Sequence, residues 1–429
     1  MIRARTALVL GYGRSGRAAE CLLREEGCAV TVLAEETADL SELFQALEAT
    51  TFDVCIVSPG FALSHPWMEA VRAAGVPFLS ELELGWSRHQ GRTVAVTGSN
   101  GKSTAVKWIY DMLRLAGQRV AIGGNYGIPA CEIVQKTSDL DWLVLEVSSF
   151  QLETVRDFQA EVAVLLNVLP NHLDRHGSMT EYRRIKERIF GKTQDSTCVA
   201  PFDLIPKLEV SCNWISFGAN PEATYSFKNG CIFQGLEKVA DLSRTLFDSP
   251  ILGRCTGAVG IAVADACGVP RAVAEKAARN FEPLPHRLEK LGEIDGVAYV
   301  NDSKATNLAA MITALEACSP GVHLIAGGVP KETDFTFVEE ILAERTLSIY
   351  LIGQVSRAMY QAWNEVCQCV ECGTLENAFK IAQNAAKSGE TILLSPACAS
   401  FDQFNSFEER GTQFRVLFQT QAQKDGNIL

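Results

Sequence analysis

Val94-Ala95-Val96-Thr97-Gly98-Ser99-Asn100-Gly101-Lys102-Ser103-Thr104 joins an apolar run to a glycine-rich turn that ends in Lys-Ser-Thr. This is the build of a phosphate cradle. Glycines let backbone N–H groups converge on a polyphosphate, the next helix turns its positive end toward it, the lysine adds a cation, and the hydroxyl reaches Mg²⁺. The pattern points to ATP, held by Gly98, Ser99, Asn100, Gly101, Lys102, Ser103 and Thr104. The usual loop has a glycine five positions before its Gly-Lys pair. Val96 stands there, so this loop is a shortened variant.

On both sides of the loop, strand-like runs alternate with amphipathic helical stretches, the rhythm of parallel α/β layers. Three segments are expected: 1–91, 92–284 and 285–429. The first opens with Thr6-Ala7-Leu8-Val9-Leu10, turns through Gly11-Tyr12-Gly13-Arg14-Ser15-Gly16, and continues as a helix over 17–26, with strands over 28–33 and 54–57. Its glycine spacing fits a dinucleotide fingerprint, a turn for the diphosphate of another nucleotide such as a UDP-sugar, or a tight turn without ligand. In the second segment Trp142-Leu143-Val144-Leu145-Glu146-Val147 and Val162-Ala163-Val164-Leu165-Leu166-Asn167 read as strands buried on both faces. Ligands sit beyond the carboxyl ends of such strands, so Glu146, Ser148, Asn167 and His172 should share a mouth with Lys102. Glu282-Pro283-Leu284-Pro285 reads as a linker, and the strands at 322–326, 347–352 and 391–394 beyond it make a further α/β unit. The expected fold class is therefore α/β in three domains. The N-terminal domain is Rossmann-like, the central one P-loop ATPase-like with a mostly parallel sheet, and the C-terminal one Rossmann-like.

A chain of 429 residues exceeds what one core usually serves, and its net charge of −12 argues against a nucleic-acid or anionic-membrane surface. Its apolar runs fall short of the roughly 18 residues that cross a bilayer. A soluble, cytoplasmic protein without a signal peptide is expected, its 14 cysteines reduced and mostly buried. Cys367-Gln368-Cys369-Val370-Glu371-Cys372 has no second half-site of like spacing, so a strand with cysteine as a small hydrophobe is expected there instead of zinc.

The combination of motifs is more specific than any one of them. Residues 97–104, Gly123-Gly124-Asn125-Tyr126-Gly127, Glu146-Val147-Ser148-Ser149-Phe150-Gln151-Leu152-Glu153, Asn167 with His172-Leu173-Asp174-Arg175-His176, and Tyr182-Arg183-Arg184-Ile185-Lys186 together resemble the Mur ligases of peptidoglycan synthesis. Asn301-Asp302-Ser303-Lys304-Ala305-Thr306-Asn307 and the run from Leu394 through Ser400 to Phe404 extend the likeness across all three segments. The Ser-Ser-Phe-Gln-Leu and Asp-Ser-Lys-Ala-Thr-Asn forms look like the branch that takes D-glutamate.

That resemblance implies a ligase joining D-glutamate to UDP-MurNAc-L-alanine with ATP, through an acyl phosphate and a tetrahedral intermediate. Its partners are then these small molecules, with no nucleic acid or membrane, as the charge already argues, and a monomer is expected. Lys102 would neutralise phosphates, while Ser103 and Glu146 would hold a first Mg²⁺ and His172 a second. Lys186, read alone, is a surface lysine among arginines; the resemblance makes it a lysine carboxylated by CO₂, an anionic metal ligand, which requires a neutral amine. Arg287 and Asp302 would contact ATP and Lys304 the reaction centre. Thr306, Lys331, Ser400, Phe401 and Phe407 would hold D-glutamate. Gly13, Arg14, Ser15 and Gly16 would take the UDP diphosphate, Ser58 and Gly60 would flank the uracil region, and Asn125, Ser148 and Gln151 would line the muramoyl path.

Two departures stand out. Ala34 replaces the family's aspartate, which passes uridine recognition to Glu35 or Glu36. Gly253-Arg254-Cys255-Thr256-Gly257-Ala258-Val259 lacks the asparagines that meet adenine. Another Mur-type or folylpolyglutamate-type ligase, and an NAD-binding protein or nucleotide sensor without ligase activity, are the competing readings.

Overall fold

Apolar runs too continuous for a half-solvated sheet require cover on both faces. The computed structural model describes residues 4–192, 196–331 and 334–424 and provides that cover. The chain forms one unit from Met1–Asp248 and Gly253–Phe281, and another from Ser249–Leu252 and Glu282–Leu429.

The first unit carries two sheets. Strands β1 (Thr6–Leu10), β2 (Ala29–Leu33), β3 (Val54–Val57) and β4 (Phe78–Ser80) are parallel, in the order β2-β1-β3-β4. The helix after β1 spans Arg14–Glu25, beginning three residues ahead of the expected start at Arg17. Gly16 therefore lies inside its first turn, where a Cβ would stand 2.0 Å from the Gly11 carbonyl oxygen. Only glycine lets the helix start so close to the strand.

The second sheet holds β5 (Arg92–Thr97), β6 (Val120–Gly124), β7 (Trp142–Glu146), β8 (Val162–Leu165), β9 (Thr197–Pro201), β10 (Asn213–Gly218), β11 (Tyr225–Lys228), β12 (Cys231–Gln234) and β13 (Glu237–Asp241). Their order is β13-β12-β11-β10-β9-β8-β5-β7-β6, parallel from β6 to β11 and antiparallel in the last two pairings. After β5 the chain builds β6 and β7 on one side, then crosses to β8 on the other. The carboxyl end of β5 is thus a topological switch point, where open α/β sheets bind ligands. The helix Lys102–Leu115 covers one face, with Val106, Trp108, Ile109, Met112 and Leu113 buried. Trp108 stacks on Phe247 with ring centroids 4.3 Å apart, in space that a Cβ on Gly260 would fill at 2.1 Å.

The two sheets of this unit are joined by carboxylates. The helix Glu81–Trp86 lies on the helix Ala130–Lys136, and Glu81 accepts from the Cys131 N–H at 2.7 Å. Glu83 accepts from the N–H groups of Arg156 (2.6 Å) and Asp157 (2.7 Å). Burial pushes the Glu81 carboxyl up to about 7, against the pull of the Cys131 N–H.

The second unit holds β14 (Glu289–Ile294), β15 (Val297–Asn301), β16 (Val322–Gly327), β17 (Thr346–Ile352), β18 (Gln368–Gly373) and β19 (Thr391–Leu394), in the order β14-β15-β19-β16-β17-β18. Only β14 pairs antiparallel. Cys369 and Cys372 are buried on β18, and all 14 cysteines are free thiols. Among the described residues no helix is long and apolar enough to cross a membrane.

Candidate active site

The turn after β5 gets its shape from two glycines, Gly98 at φ +158° and Gly101 at φ +85°. A Cβ on Gly98 would meet that of Leu166 at 2.9 Å. Asn167, just beyond β8, clamps the turn: its Oδ1 accepts from the N–H groups of Ser99 and Asn100, both at 3.0 Å, and its Nδ2 donates to the Asn100 carbonyl at 3.2 Å. The Ser99 hydroxyl is also turned inward, donating to the Leu169 carbonyl at 2.9 Å. Anion binding at this loop therefore falls to the helix that starts at Lys102, whose first-turn N–H groups have no intrahelical acceptor.

Two lysines converge on one carbonyl. Lys102 Nζ donates to Gly98 O at 2.8 Å and to Ser99 O at 2.9 Å, and Lys186 Nζ donates to Gly98 O at 2.9 Å. Lys186 lies on the helix Met179–Glu187 and is 1% exposed, not the surface lysine that its arginine neighbours suggest. Burial, helped by the charge of Lys102 and opposed by Glu146, holds its ammonium well below the usual lysine range. Glu146 closes β7 and is 2% exposed; Oε1 accepts from Asn125 Nδ2 at 2.7 Å, while Oε2 is buried without a hydrogen-bond partner. Such an oxygen costs free energy unless a cation or donor completes it. Ser103, at the start of the same helix, and Glu146 are hard oxygen donors suited to Mg²⁺. Among the described residues no three His, Cys, Asp or Glu side chains form a metal cage, and Mg²⁺ is commonly held by one or two carboxylates with waters and substrate phosphates.

His172 stands at φ +55°, unusual for a residue with a Cβ, and its ring meets Phe150 with centroids 4.9 Å apart. Ser148 caps the helix Ser149–Leu152 and shares a capping box with Gln151, so those two expected substrate residues hold each other. Behind them runs a chain that the sequence did not reveal. Ser149 Oγ lies 3.0 Å from His176 Nε2, His176 Nδ1 lies 3.2 Å from Glu153, and Glu153 pairs with Arg175 at 2.7 Å. Arg175 then donates to the carbonyls of Pro59 (2.8 Å), Gly60 (3.2 Å) and Phe61 (2.8 Å) beyond β3.

At the first sheet, Gly13 and Arg14 are exposed, and Arg14 donates to the Gly127 carbonyl at 3.0 Å. Ser58 donates to Gly11 O at 3.1 Å, fastening the glycine turn to the end of β3. Ala34 is buried and Glu36 exposed, whereas Glu35 pairs with His65 Nε2 at 3.0 Å. The other ring nitrogen of His65 accepts from Trp67 N–H, which assigns the proton to the nitrogen facing Glu35. The stretch 253–257, the start of the run that lacks the adenine-side asparagines, is a π-helical turn. Thr256 and Val259 are buried, and the Cys255 sulfur lies 3.7 Å from Leu166 O and 3.9 Å from Asn167 Nδ2.

In the second unit the expected residues follow β15, β16 and β19, neighbours in the sheet whose carboxyl ends lie side by side. Asp302 accepts from Leu288 N–H at 3.1 Å and from Ser395 Oγ at 3.0 Å; burial pushes its carboxyl up to about 7, with Arg287 pulling the other way. The loop carrying Arg287 has His286 and Leu288 at φ +62° and +46° and is fixed by the Lys304 N–H on His286 O at 3.0 Å. Lys304 Nζ lies 5.4 Å over the Phe407 ring, and Lys331 Nζ donates to Thr306 Oγ1 at 3.3 Å. Ser400 is 2% exposed with its hydroxyl buried and unpartnered, while Phe401 is 73% exposed. A cation, two hydroxyls and an exposed loop suit a small anionic amino acid.

Two family profiles match the chain: Mur ligase middle domain over residues 96–255, and Mur ligase, glutamate ligase domain over 286–398. A curated relative from Koribacter versatilis, UDP-N-acetylmuramoylalanine--D-glutamate ligase, is 36% identical over 99% of this chain and 99% of its own. Among solved structures, MurF ligase from Thermotoga maritima in complex with ADP superposes with a TM-score of 0.65 at 17% identity, covering 97% of this chain and 95% of that one. A bifunctional folylpolyglutamate synthase/dihydrofolate synthase with Mn, AMPPNP and L-glutamate bound gives 0.56 at 16% identity, covering 79% and 92%. At such identities the structural likeness speaks for the fold.

Proposed function

The chain belongs to the Mur ligase family, and on that premise we propose that it ligates D-glutamate to UDP-MurNAc-L-alanine at the expense of ATP, in peptidoglycan precursor synthesis. The observation that carries the reading is the corner where Lys102 and buried Lys186 share the Gly98 carbonyl beside the unpartnered oxygen of Glu146. It is built to receive phosphate and a divalent cation together.

A carboxylate is a poor electrophile, and its phosphorylation creates a leaving group; the difficulty is the approach of two anions. Lys102 offsets charge on the transferred phosphoryl group, and the helix N-terminus behind it favours the same charge. Ser103, Glu146 and His172 are the residues that would hold Mg²⁺, which when bound screens the repulsion and polarises the phosphoryl oxygens. A buried amine whose charged form is disfavoured suits capture of CO₂, which would turn Lys186 into a further oxygen ligand. Asn125, Ser148 and Gln151 orient the muramoyl end, and Gly13, Arg14, Ser15 and Gly16 take the diphosphate, with Ser58 and Gly60 near the uracil. Arg287 and Asp302 contact the nucleotide and Lys304 the reacting groups. Lys331, Thr306, Ser400, Phe401 and Phe407 hold D-glutamate, whose deprotonated amine attacks the acyl phosphate and expels phosphate. In this reading 1–91, 92–284 and 285–429 are the nucleotide-sugar, ATP and amino-acid domains of a cytoplasmic monomer.

The test is a substrate panel with ATP, Mg²⁺, UDP-MurNAc-L-alanine and either D- or L-glutamate, reading phosphate and new UDP product. Phosphate release that requires D-glutamate is expected; release only with another amino acid would overturn the assignment.

A further inference from the structure

Arg410 belongs to none of the motifs above, yet it is 1% exposed in the first turn of the helix Phe407–Lys424. Nε donates to Ser303 Oγ at 3.0 Å, and Nη2 donates to Ser303 O at 2.9 Å and to Cys398 O at 3.0 Å. Ser303 Oγ in turn donates to the Phe407 carbonyl at 2.8 Å. Gly328 leaves room for the guanidinium, since a Cβ there would stand 3.3 Å from Nη1. The loops after β15, β16 and β19 therefore all meet on one side chain. Those after β16 and β19 are also zipped by reciprocal hydrogen bonds between Val329 and Ala399, at 2.8 and 2.9 Å.

All the acceptors are neutral. Among the described residues Arg410 forms no ion pair; the Asp402 carboxylate, which accepts from the Gln354 N–H at 2.8 Å, favours the cation only from a distance. Nη1 is buried without a partner, as is the hydroxyl of Ser400 two residues after Cys398. A neutral donor would satisfy the same carbonyls, whereas a buried cation offset only by the distant Asp402 carboxylate is costly. Burial pulls its pKa down to about 10, which still leaves it charged at neutral pH. A charge kept at that cost in the fold acts on an anion that arrives later.

We propose that Arg410 is a positioning residue of the amino-acid site, fixing the loops that carry Lys304, Lys331 and Ser400 and biasing the site toward an acceptor that bears carboxylates. The inference rests on the reading that this site takes D-glutamate. Wild-type enzyme, Arg410→Met and Arg410→Lys are compared at saturating Mg²⁺ and UDP-MurNAc-L-alanine, with KM for D-glutamate and for ATP measured separately and the melting temperature recorded. Removing one buried charge at intermediate effective dielectric corresponds to a change of about tenfold or more. Arg410→Met is expected to raise KM for D-glutamate by that factor while KM for ATP stays within about twofold, and Arg410→Lys to recover part of the loss. A change under about threefold in KM for D-glutamate, or equal rises for both substrates, overturns the proposal. If Arg410→Met is not recovered folded, Arg410→Lys decides by the same two criteria, with a rise of about threefold or more expected for D-glutamate alone. Absence of D-glutamate turnover in the wild type would strike the functional reading itself, before any variant is compared.

Discussion

Asn167 is the residue on which the phosphate loop hangs, because one side chain satisfies two successive N–H groups and a carbonyl of that loop. Asn167→Ala removes the side-chain acceptor of the Asn100 N–H and the donor to its carbonyl, at a cost of roughly 1–3 kcal/mol, while the Ser99 N–H keeps the main-chain carbonyl of residue 167 at 3.2 Å. KM for ATP should rise by about tenfold or more, read in initial rates at fixed UDP-substrate, with the melting temperature lowered. Lys186 carries a second prediction. Depleting CO₂ from enzyme and buffers should depress turnover and added bicarbonate should restore it, while Lys186→Ala should lack turnover under both conditions. Undiminished activity in CO₂-free buffer would remove the carboxylated lysine from the mechanism. The place of Glu146 at a strand end was legible in its local string, whereas the burial of Lys186 followed only from the resemblance, because its arginine neighbours alone suggest a surface helix. Arg175 and Arg410 were not legible, since their acceptors lie up to 116 and 107 residues away and no local pattern marks a guanidinium destined for backbone carbonyls.

Among the elements, the helix after the phosphate loop depends on a glycine in another helix. Gly260 on Ala258–Ala266 faces the Trp108 ring, and Gly260→Ala would drive a methyl group into it. Overpacking of this kind costs about 1–3 kcal/mol. A lower denaturation midpoint at unchanged m-value is the expected outcome; unchanged stability would mean that the ring moves freely. Strands β1 and β3 matched their sequence reading to the residue, because short apolar runs bounded by turn residues permit little else. The stretch from β9 to β13 had no such reading. Its strands are four to six residues long, and from β10 to β13 exposed and buried positions mix toward the sheet edge, so periodicity is weak there. The π-helical turn at 253–257 escaped for a different reason: its i→i+5 spacing leaves no compositional mark.

At the scale of the whole molecule, stability should depend on pH through Glu81, which joins the two sheets of the first unit. Its carboxyl titrates near 4.5 when unperturbed and at about 7 when folded. A folded acid with a raised pKa contributes most below the unfolded value, and that contribution is lost as pH rises from about 4.5 to about 7, on the order of 3 kcal/mol in all. Glu81→Gln keeps an acceptor for the Cys131 N–H without the charge. Its melting temperature should exceed that of the wild type at pH 8 and approach it at pH 5; a constant difference across that range would exclude Glu81 as the source. Another tie between these sheets, the fan of hydrogen bonds from Arg175 to the carbonyls of Pro59, Gly60 and Phe61, has a metrical consequence. Under the proposed function, with the diphosphate on the glycine turn and ATP on the phosphate loop, this tie holds the two ends of the substrate path at one span, so that the pair would work as a ruler. A nucleotide-sugar with one sugar too few or one linker atom too many is then expected to release no phosphate in the ligase assay, refused on length before any group on it is read.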